Sequence, residues 1–159
     1  MMKSTKHNAI PAWRRLAFPI ALAVLLLASA GCGHLAMMGQ SVQRPADEAF
    51  GLGPRVSVNQ VYTATLQPQQ PLRVRQLQTV PVLLTDSQGR PVEHAVISVD
   101  GGMPEHGHGL PTQPRVTRAL GGGRYEIEGV RFNMGGWWQF KLAIDSAAGA
   151  DRVTFNLSL

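Results

Sequence analysis

The segment from Met103 to Gly109 carries one thioether and two imidazoles, those of Met103, His106 and His108. Proline and glycine separate these side chains, so the segment is expected to be an irregular loop. Loops held by a rigid scaffold carry a disproportionate share of binding and catalytic residues. Thioether and imidazole together suit copper better than calcium or magnesium, which prefer oxygen ligands. The pattern therefore predicts a copper-binding loop.

A second thioether, Met134, lies in another glycine-containing loop further along the chain. Loops cluster at the two ends of a β-sandwich, so a shared end would bring Met103, His106, His108 and Met134 together. A cuprous ion prefers thioethers and tolerates imidazole, whereas a cupric ion would depend mainly on the imidazoles. His94 is expected to lie in a strand and is a weaker candidate for an outer partner.

Two other interpretations of these side chains remain open. The histidines could hydrogen-bond to backbone carbonyls and fix the loop, while both methionines could plug the end of a hydrophobic core. Zinc could be held by the two histidines and Glu105, but no third histidine and only one carboxylate lie close by in the sequence.

The residues that must position these loops read as β-strands. Period-2 alternation is clearest near the C-terminus, where Trp138, Phe140, Leu142 and Ile144 form one set and Val153, Phe155 and Leu157 another. The even positions from Val56 to Leu66 predict one further strand with a buried face. Turn signals separate other candidates at 80–84, 92–99, 116 and 125–127. We therefore predict an all-β, immunoglobulin-like sandwich of about seven strands with Trp138 at its centre.

The N-terminus has the layout of a secretory signal. Four basic residues, Lys3, Lys6, Arg14 and Arg15, precede an apolar run over 16–30. That run is shorter than the roughly 20 residues of a membrane-spanning helix, which disfavours an uncleaved anchor. Residues 1–31 are therefore expected to form a signal peptide helix, and the protein is expected to be exported.

Cys32 is the only cysteine, so an internal disulfide is excluded. The sequence Ala30-Gly31-Cys32 is similar to the lipobox of bacterial lipoproteins, with Ser29 where leucine is usual. Ala28-Ser29-Ala30 also fits simple cleavage. The lone cysteine favours lipidation. By similarity to lipoprotein sorting in Gram-negative cells, Gly33 after the cysteine indicates the outer membrane, with the domain on the periplasmic side.

Composition limits the remaining function classes. Residues 32–54 lack periodicity and are expected to be a flexible tether, which leaves 55–159 as one domain. The chain has 15 basic and 10 acidic side chains, but four basic ones lie in the signal, leaving 11 against 10. That balance excludes a basic nucleic-acid surface. Ser87, Ser98 and Ser146 lack a nucleophile-elbow context, so we predict that the protein is not an enzyme.

Four motifs follow one another in a distinctive order: Asp86-x-x-Gly89-x-Pro91-Val92, Met103-Pro104-x-His106-Gly107-His108-Gly109, Gly123-x-Tyr125-x-Ile127 and Met134-x-Gly136-x-Trp138. This order resembles the YtkA-like family of exported β-sandwich domains, which is related to FixH-like proteins, over residues 55–159. The resemblance implies an exported or membrane-attached domain associated with copper handling or oxidase assembly. FixH-like proteins keep a transmembrane anchor, whereas this chain is expected to carry a lipid anchor.

The sequence thus supports two functions. The first is a lipid-anchored copper carrier or accessory domain that passes its metal to a copper-receiving protein. The second is a metal-free scaffold that binds an envelope protein through an edge strand or through the Met103–Gly109 segment.

Overall fold

The computed structural model describes residues 42–159. The expected signal peptide, Cys32 and most of the expected tether lie outside these residues. Among the described residues no helix is long and apolar enough to cross a membrane. The helical structure of residues 42–159 is limited to a 3-10 turn at Asp47–Ala49.

Nine strands make up the rest of the regular structure between residues 42 and 159. They are β1 (Arg55–Val56), β2 (Tyr62–Leu66), β3 (Gln78–Asp86), β4 (Val96–Met103), β5 (His108–Gly109), β6 (Arg115–Gly121), β7 (Arg124–Val130), β8 (Trp137–Ser146) and β9 (Gly149–Ser158). They pair in the order β1-β2-β3-β7-β6-β4-β8-β9, and β5 pairs with β4 outside this path. Every pairing between these strands is antiparallel.

The strands form two layers. One contains β1, β2, β3, β7 and β6, the other β4, β8 and β9, and one residue pair, Ser98 with Arg115, joins β4 to β6. At the opposite side the Val58 amide donates to the Arg152 carbonyl at 3.0 Å, which nearly closes the sheet. The prediction of an all-β, immunoglobulin-like sandwich is confirmed. The sequence did not indicate β5, and it predicted β1 and β2 as one strand.

Alternate residues of both layers meet in one hydrophobic core. Fully burying a side chain such as Leu, Val or Phe stabilises a fold by about 1.5–3 kcal/mol, so these contacts dominate the energetics. The alternation predicted for the last two strands is confirmed, since these side chains are buried: Trp138, Phe140, Leu142, Ile144, Val153, Phe155 and Leu157. Trp138 also packs edge-on against Phe132, with ring centroids 5.2 Å apart.

The single strand predicted from Val56 to Leu66 is wrong in its first half. The chain folds back between β1 and β2, and Gln60 adopts a left-handed conformation with φ of 62°. Val56 and Val58 are therefore 61% and 77% exposed, although their alternation suggested burial. Only the second half of the predicted strand buries one face.

Asp151, a buried residue of β9, helps to hold this reversal. Its carboxylate accepts hydrogen bonds from the backbone amides of Asn59 at 3.0 Å and Val61 at 3.3 Å. Burial raises the pKa of Asp151, but the Ser57 hydroxyl and the backbone amides that donate to the carboxylate outweigh it and lower the pKa overall. The β1–β2 turn is thus fastened to β9 by this carboxylate and by the hydrogen bond from Val58 to Arg152.

Trp137 is buried although the alternation of β8 places it on the outer face. The ring of Phe50 covers it edge-on at a centroid distance of 6.4 Å, and the Arg44 guanidinium stacks 4.5 Å above Phe50. The Trp137 indole donates to Asn156 Oδ1 at 3.0 Å. Contacts with the sandwich therefore begin upstream of residue 55, within the range expected to be a tether.

Candidate metal site

The segment Met103–Gly109 is a β-hairpin and not the irregular loop expected from its composition. Met103 ends β4, His108 begins β5, and the two residues pair directly. The His106 amide donates to the Met103 carbonyl at 3.1 Å, and Gly107 turns the chain with a φ of 64°. The hairpin therefore extends the sheet and gives its tip a defined register.

Glycine makes this hairpin possible because the two strands approach closely. A side chain at Gly102 would collide with the carbonyl oxygen of His108. Gly102 also pairs with Gly109 on one side and with Gln139 of β8 on the other. The glycines that suggested an irregular loop thus allow neighbouring strands to pair at close distance.

Both imidazoles at the tip are exposed. The rings of His106 and His108 are nearly parallel, with an angle of 22° and centroids 5.9 Å apart. Among residues 42–159 neither ring is hydrogen-bonded, so the structure does not support the interpretation that they tie the loop to backbone carbonyls.

The spacing of the two rings is compatible with one shared ion. A metal lies about 2 Å from a ligating imidazole nitrogen, and hence about 3 Å from the ring centroid. Two rings that share an ion therefore have centroids no more than about 6 Å apart, a limit reached when the two nitrogens lie on opposite sides of the ion. The observed 5.9 Å lies at this limit, and the stacked rings would have to turn for both nitrogens to point at one ion.

Met103 is 1% exposed and belongs to the hydrophobic core. It lies directly opposite His108 in the β4–β5 register. Directly opposed residues in an antiparallel pair project on the same face, with Cβ atoms about 4.5–5.5 Å apart. Met103 therefore plugs the end of the core, as one of the alternative interpretations held, and its backbone position also places it beside His108.

The loop that contains Met134 lies at the same end of the sandwich. The Met103 methyl packs against the backbone of Gly136, since a β-carbon at Gly136 would lie only 2.8 Å from Met103 Cε. Met134 itself is 39% exposed, and its carbonyl accepts a hydrogen bond from the Trp138 indole at 3.0 Å. The structure thus brings all four predicted residues to one end, three exposed and one buried; metal binding stays a prediction.

Replacing Gly136 with alanine should reveal how tightly the two loops meet. Gly136 has a φ of 129°, so alanine there would be strained and would also push the Met103 methyl. We expect a loss of about 1–3 kcal/mol in the free energy of unfolding, measured by urea denaturation.

Gly149→Ala is the matched control for this substitution. Gly149 has a similar φ of 116°, but no atom lies within 4 Å of its hypothetical β-carbon. Its alanine variant should therefore suffer the backbone strain alone. Equal losses in the two variants would contradict a close contact between Met103 and the Gly136 backbone.

The charged and polar groups of the described residues do not form a competing site. No group of three or more His, Cys, Asp or Glu side chains that could hold a metal occurs within residues 42–159. Ion pairs occur elsewhere, between Arg90 and Asp86 and between Arg118 and Glu126. The zinc interpretation, which needed Glu105 beside the two histidines, gains no support.

His94 lies outside the strand in which it was expected, because β4 begins only at Val96. It is exposed and adopts a left-handed conformation with φ of 56°. Since Met103 is at the far end of β4, the length of the strand separates the two residues by more than about 20 Å. His94 is therefore not an outer partner of the candidate site.

Surface depressions lie beside the hairpin and on the outer faces of the two layers. A shallow one of about 280 Å³ lies beside the hairpin, between Gly102, His108 and Lys141. Two larger grooves, of about 590 Å³ and about 630 Å³, lie on the outer faces of the two layers and contain neither histidine nor methionine.

The model of the YtkA-like family matches residues 57–143, which is more than half of the chain and includes all four candidate ligands. The chain belongs to the YtkA-like family. Domains of this family are typically exported accessory domains. No curated protein and no solved structure matches the chain.

Two residues that shape the site could not be assigned a role at the site from the sequence, although Trp138 was predicted to lie in the core. The first is Trp138, whose indole holds the Met134 carbonyl, and the second is Gly136, which covers the Met103 methyl. The signal was present in the Met134-x-Gly136-x-Trp138 spacing, but nothing in that spacing revealed the hydrogen bond.

Proposed function

We propose that this YtkA-like domain is an exported copper-binding accessory or carrier domain that acts without catalysis. The observation that carries the proposal is the hairpin tip. Two exposed imidazoles lie 5.9 Å apart without a hydrogen-bond partner among the described residues, at the end of the sandwich where Met103 meets the loop that carries Met134.

The chemistry of the donors supports copper over other metals. His106 and His108 supply imidazole nitrogen, while Met103 and Met134 supply thioether sulfur. Soft thioethers favour cuprous copper, and the imidazoles alone suit the cupric ion. Copper held at such a tip would be accessible from solvent, which suits transfer to a copper-receiving protein more than a permanent structural role.

The direct test is a titration of the mature chain, residues 32–159 with Cys32→Ser, against Cu(I) and Cu(II) in the presence of a competing chelator. The substitution removes the thiol, which would otherwise compete for copper. We expect one copper ion per chain. If neither ion binds, the copper proposal fails and a metal-free scaffold that contacts an envelope protein becomes the better account.

We further propose that Cys32 is lipidated and anchors the domain at the periplasmic side of the cell envelope, at the outer membrane. Support comes from the sequence Ala30-Gly31-Cys32 and from the absence of any other cysteine in the chain. The anchored domain would then meet a copper-receiving protein at the surface of that membrane.

Cys32→Ser should abolish lipidation while leaving export possible through Ala28-Ser29-Ala30. We expect the full-length parent chain to incorporate labelled palmitate and to sediment with membranes, and the variant to do neither. Cys32 is the one cysteine of the chain, so its replacement removes the proposed acylation site and the difference should be nearly complete. Equal incorporation of labelled palmitate into the parent chain and the variant would contradict lipidation at Cys32.

A further inference from the structure

Adjacent tryptophans at the start of β8 donate hydrogen bonds on opposite faces of the sandwich. The Trp137 indole donates outward to Asn156 Oδ1, and the Trp138 indole donates inward to the Met134 carbonyl, both at 3.0 Å. Both side chains are 1% exposed. The pair therefore offers two equally buried indoles, of which one contacts the loop of the candidate site.

The loop that carries Met134 is fixed by hydrogen bonds at its two ends. At one end the Arg75 amide donates to the Phe132 carbonyl at 2.6 Å, and at the other Gly136 exchanges two bonds with Leu159. Between these ends, at residues 133–135, the bond from Trp138 to the Met134 carbonyl is the one hydrogen bond that the described residues supply.

The donor of this bond is itself held rigidly. Trp138 packs edge-on against Phe132 at a centroid distance of 5.2 Å and belongs to the hydrophobic core. A core side chain in a close-packed interior keeps one rotamer, so its N–H points in a fixed direction. The position of the Met134 backbone relative to the core is thus set by Trp138.

We infer that Trp138 is a positioning residue for copper binding, an inference that rests on the proposed function. Its indole N–H donates to the backbone carbonyl of Met134 and is not itself a proposed copper ligand. By holding that backbone it keeps the Met134 thioether at the end of the sandwich where the Met103 methyl and the hairpin tip lie. Replacing a residue that orients a metal ligand commonly changes metal affinity by about 10- to 100-fold, and we expect a change of this size here.

The test compares Trp138→Phe with Trp137→Phe in the mature chain carrying Cys32→Ser. Each variant removes one indole and one hydrogen bond from a fully buried position, but only the first releases Met134. We expect Trp138→Phe to weaken Cu(I) binding by about 10- to 100-fold and Trp137→Phe to leave it unchanged. Cu(II) binding, which depends on the imidazoles, should be unchanged in both variants.

A second measurement separates positioning from general loosening of the fold. If Trp138 acts through Met134, then Trp138→Phe should have no further effect on Cu(I) affinity in a chain that already carries Met134→Ala. Urea midpoints of both tryptophan variants show how far each fold is weakened. If Trp138→Phe does not fold, 3-benzothienylalanine at position 138 removes only the N–H and keeps the shape of the ring.

The possible outcomes are distinct. Failure of the parent chain to bind either copper ion overturns the proposed function, whereas a parent that binds Cu(II) alone overturns the role of Trp138. A parent that binds Cu(I), with equal losses in the two tryptophan variants, overturns the role of Trp138 alone. Parallel loss of Cu(I) and Cu(II) binding in Trp138→Phe would likewise mean that the residue supports the fold and does not position Met134.

Discussion

Replacing both His106 and His108 with alanine is expected to abolish Cu(II) binding and to weaken Cu(I) binding by about 100-fold or more. The imidazoles are the only nitrogen donors proposed at the hairpin tip, and a cupric ion gains little from thioethers. A chelator competition titration of the mature chain with Cys32→Ser measures both affinities. The fold should be unaffected, because both side chains are exposed and exposed substitutions usually change stability by less than about 0.5 kcal/mol.

His94→Asn is the control for the double histidine variant. His94 is exposed and lies at the other end of β4 from the hairpin. Asparagine tolerates the left-handed conformation that His94 adopts, so the backbone should be preserved. Copper affinity that falls equally in His94→Asn and in the double variant would show nonspecific binding by surface histidines and would contradict the site.

Met103→Ala is expected to destabilise the domain by about 2–5 kcal/mol, because it leaves a cavity at the end of a packed core. Met103→Leu conserves volume and should cost less than about 1.5 kcal/mol. Met103 is 1% exposed and its methyl packs against Gly136, so the packing contribution is large whatever its role with metal. Urea denaturation of the mature chain measures both losses.

The leucine variant then separates packing from ligation. It keeps the core filled but carries no sulfur, so a fall in Cu(I) affinity would assign a ligand role to Met103. Unchanged Cu(I) affinity in Met103→Leu, together with a fall in Met134→Ala, would reduce the site to three donors and leave Met103 as a plug. If Cu(I) affinity falls in neither Met103→Leu nor Met134→Ala, a contribution of thioethers to copper binding is contradicted.

Alternation predicted the strands that carry most of the core. The side chains of β8 and β9 that were expected to face inward do so, because their pattern reflects burial on one face of a regular pleat. The prediction failed where a distant residue intervened. Asp151 fastens the Ser57–Val61 turn from 92 positions beyond Asn59, and no local pattern near Val56 or Val58 records that contact.

The sequence did not predict the burial of Trp137, for a related reason. It alternates with the core residues and should face solvent, but Phe50 covers it from a segment that has no periodicity. Packing by an irregular segment leaves no repeat for a pattern to detect. Only the three-dimensional arrangement reveals it.

The candidate site was predictable in composition but not in geometry. Residue types alone pointed to Met103, His106, His108 and Met134. Their arrangement depends on the pairing of Met103 with His108 and on the contact between Met103 and Gly136. Both arise from close backbone approaches that glycine permits, and glycine in a sequence indicates a tight ladder and an irregular loop equally well.

The two irregularities in β6 affect how the protein can associate with other chains. Its register with β7 shifts between Val116 and Arg118 and again between Ala119 and Gly121, while its other side meets β4 at one residue pair. Bulges of this kind bend an open strand and prevent a continuous ladder with a second polypeptide. Recruitment of a foreign strand at β6, and fibre growth from it, should therefore be suppressed even where such domains are crowded together.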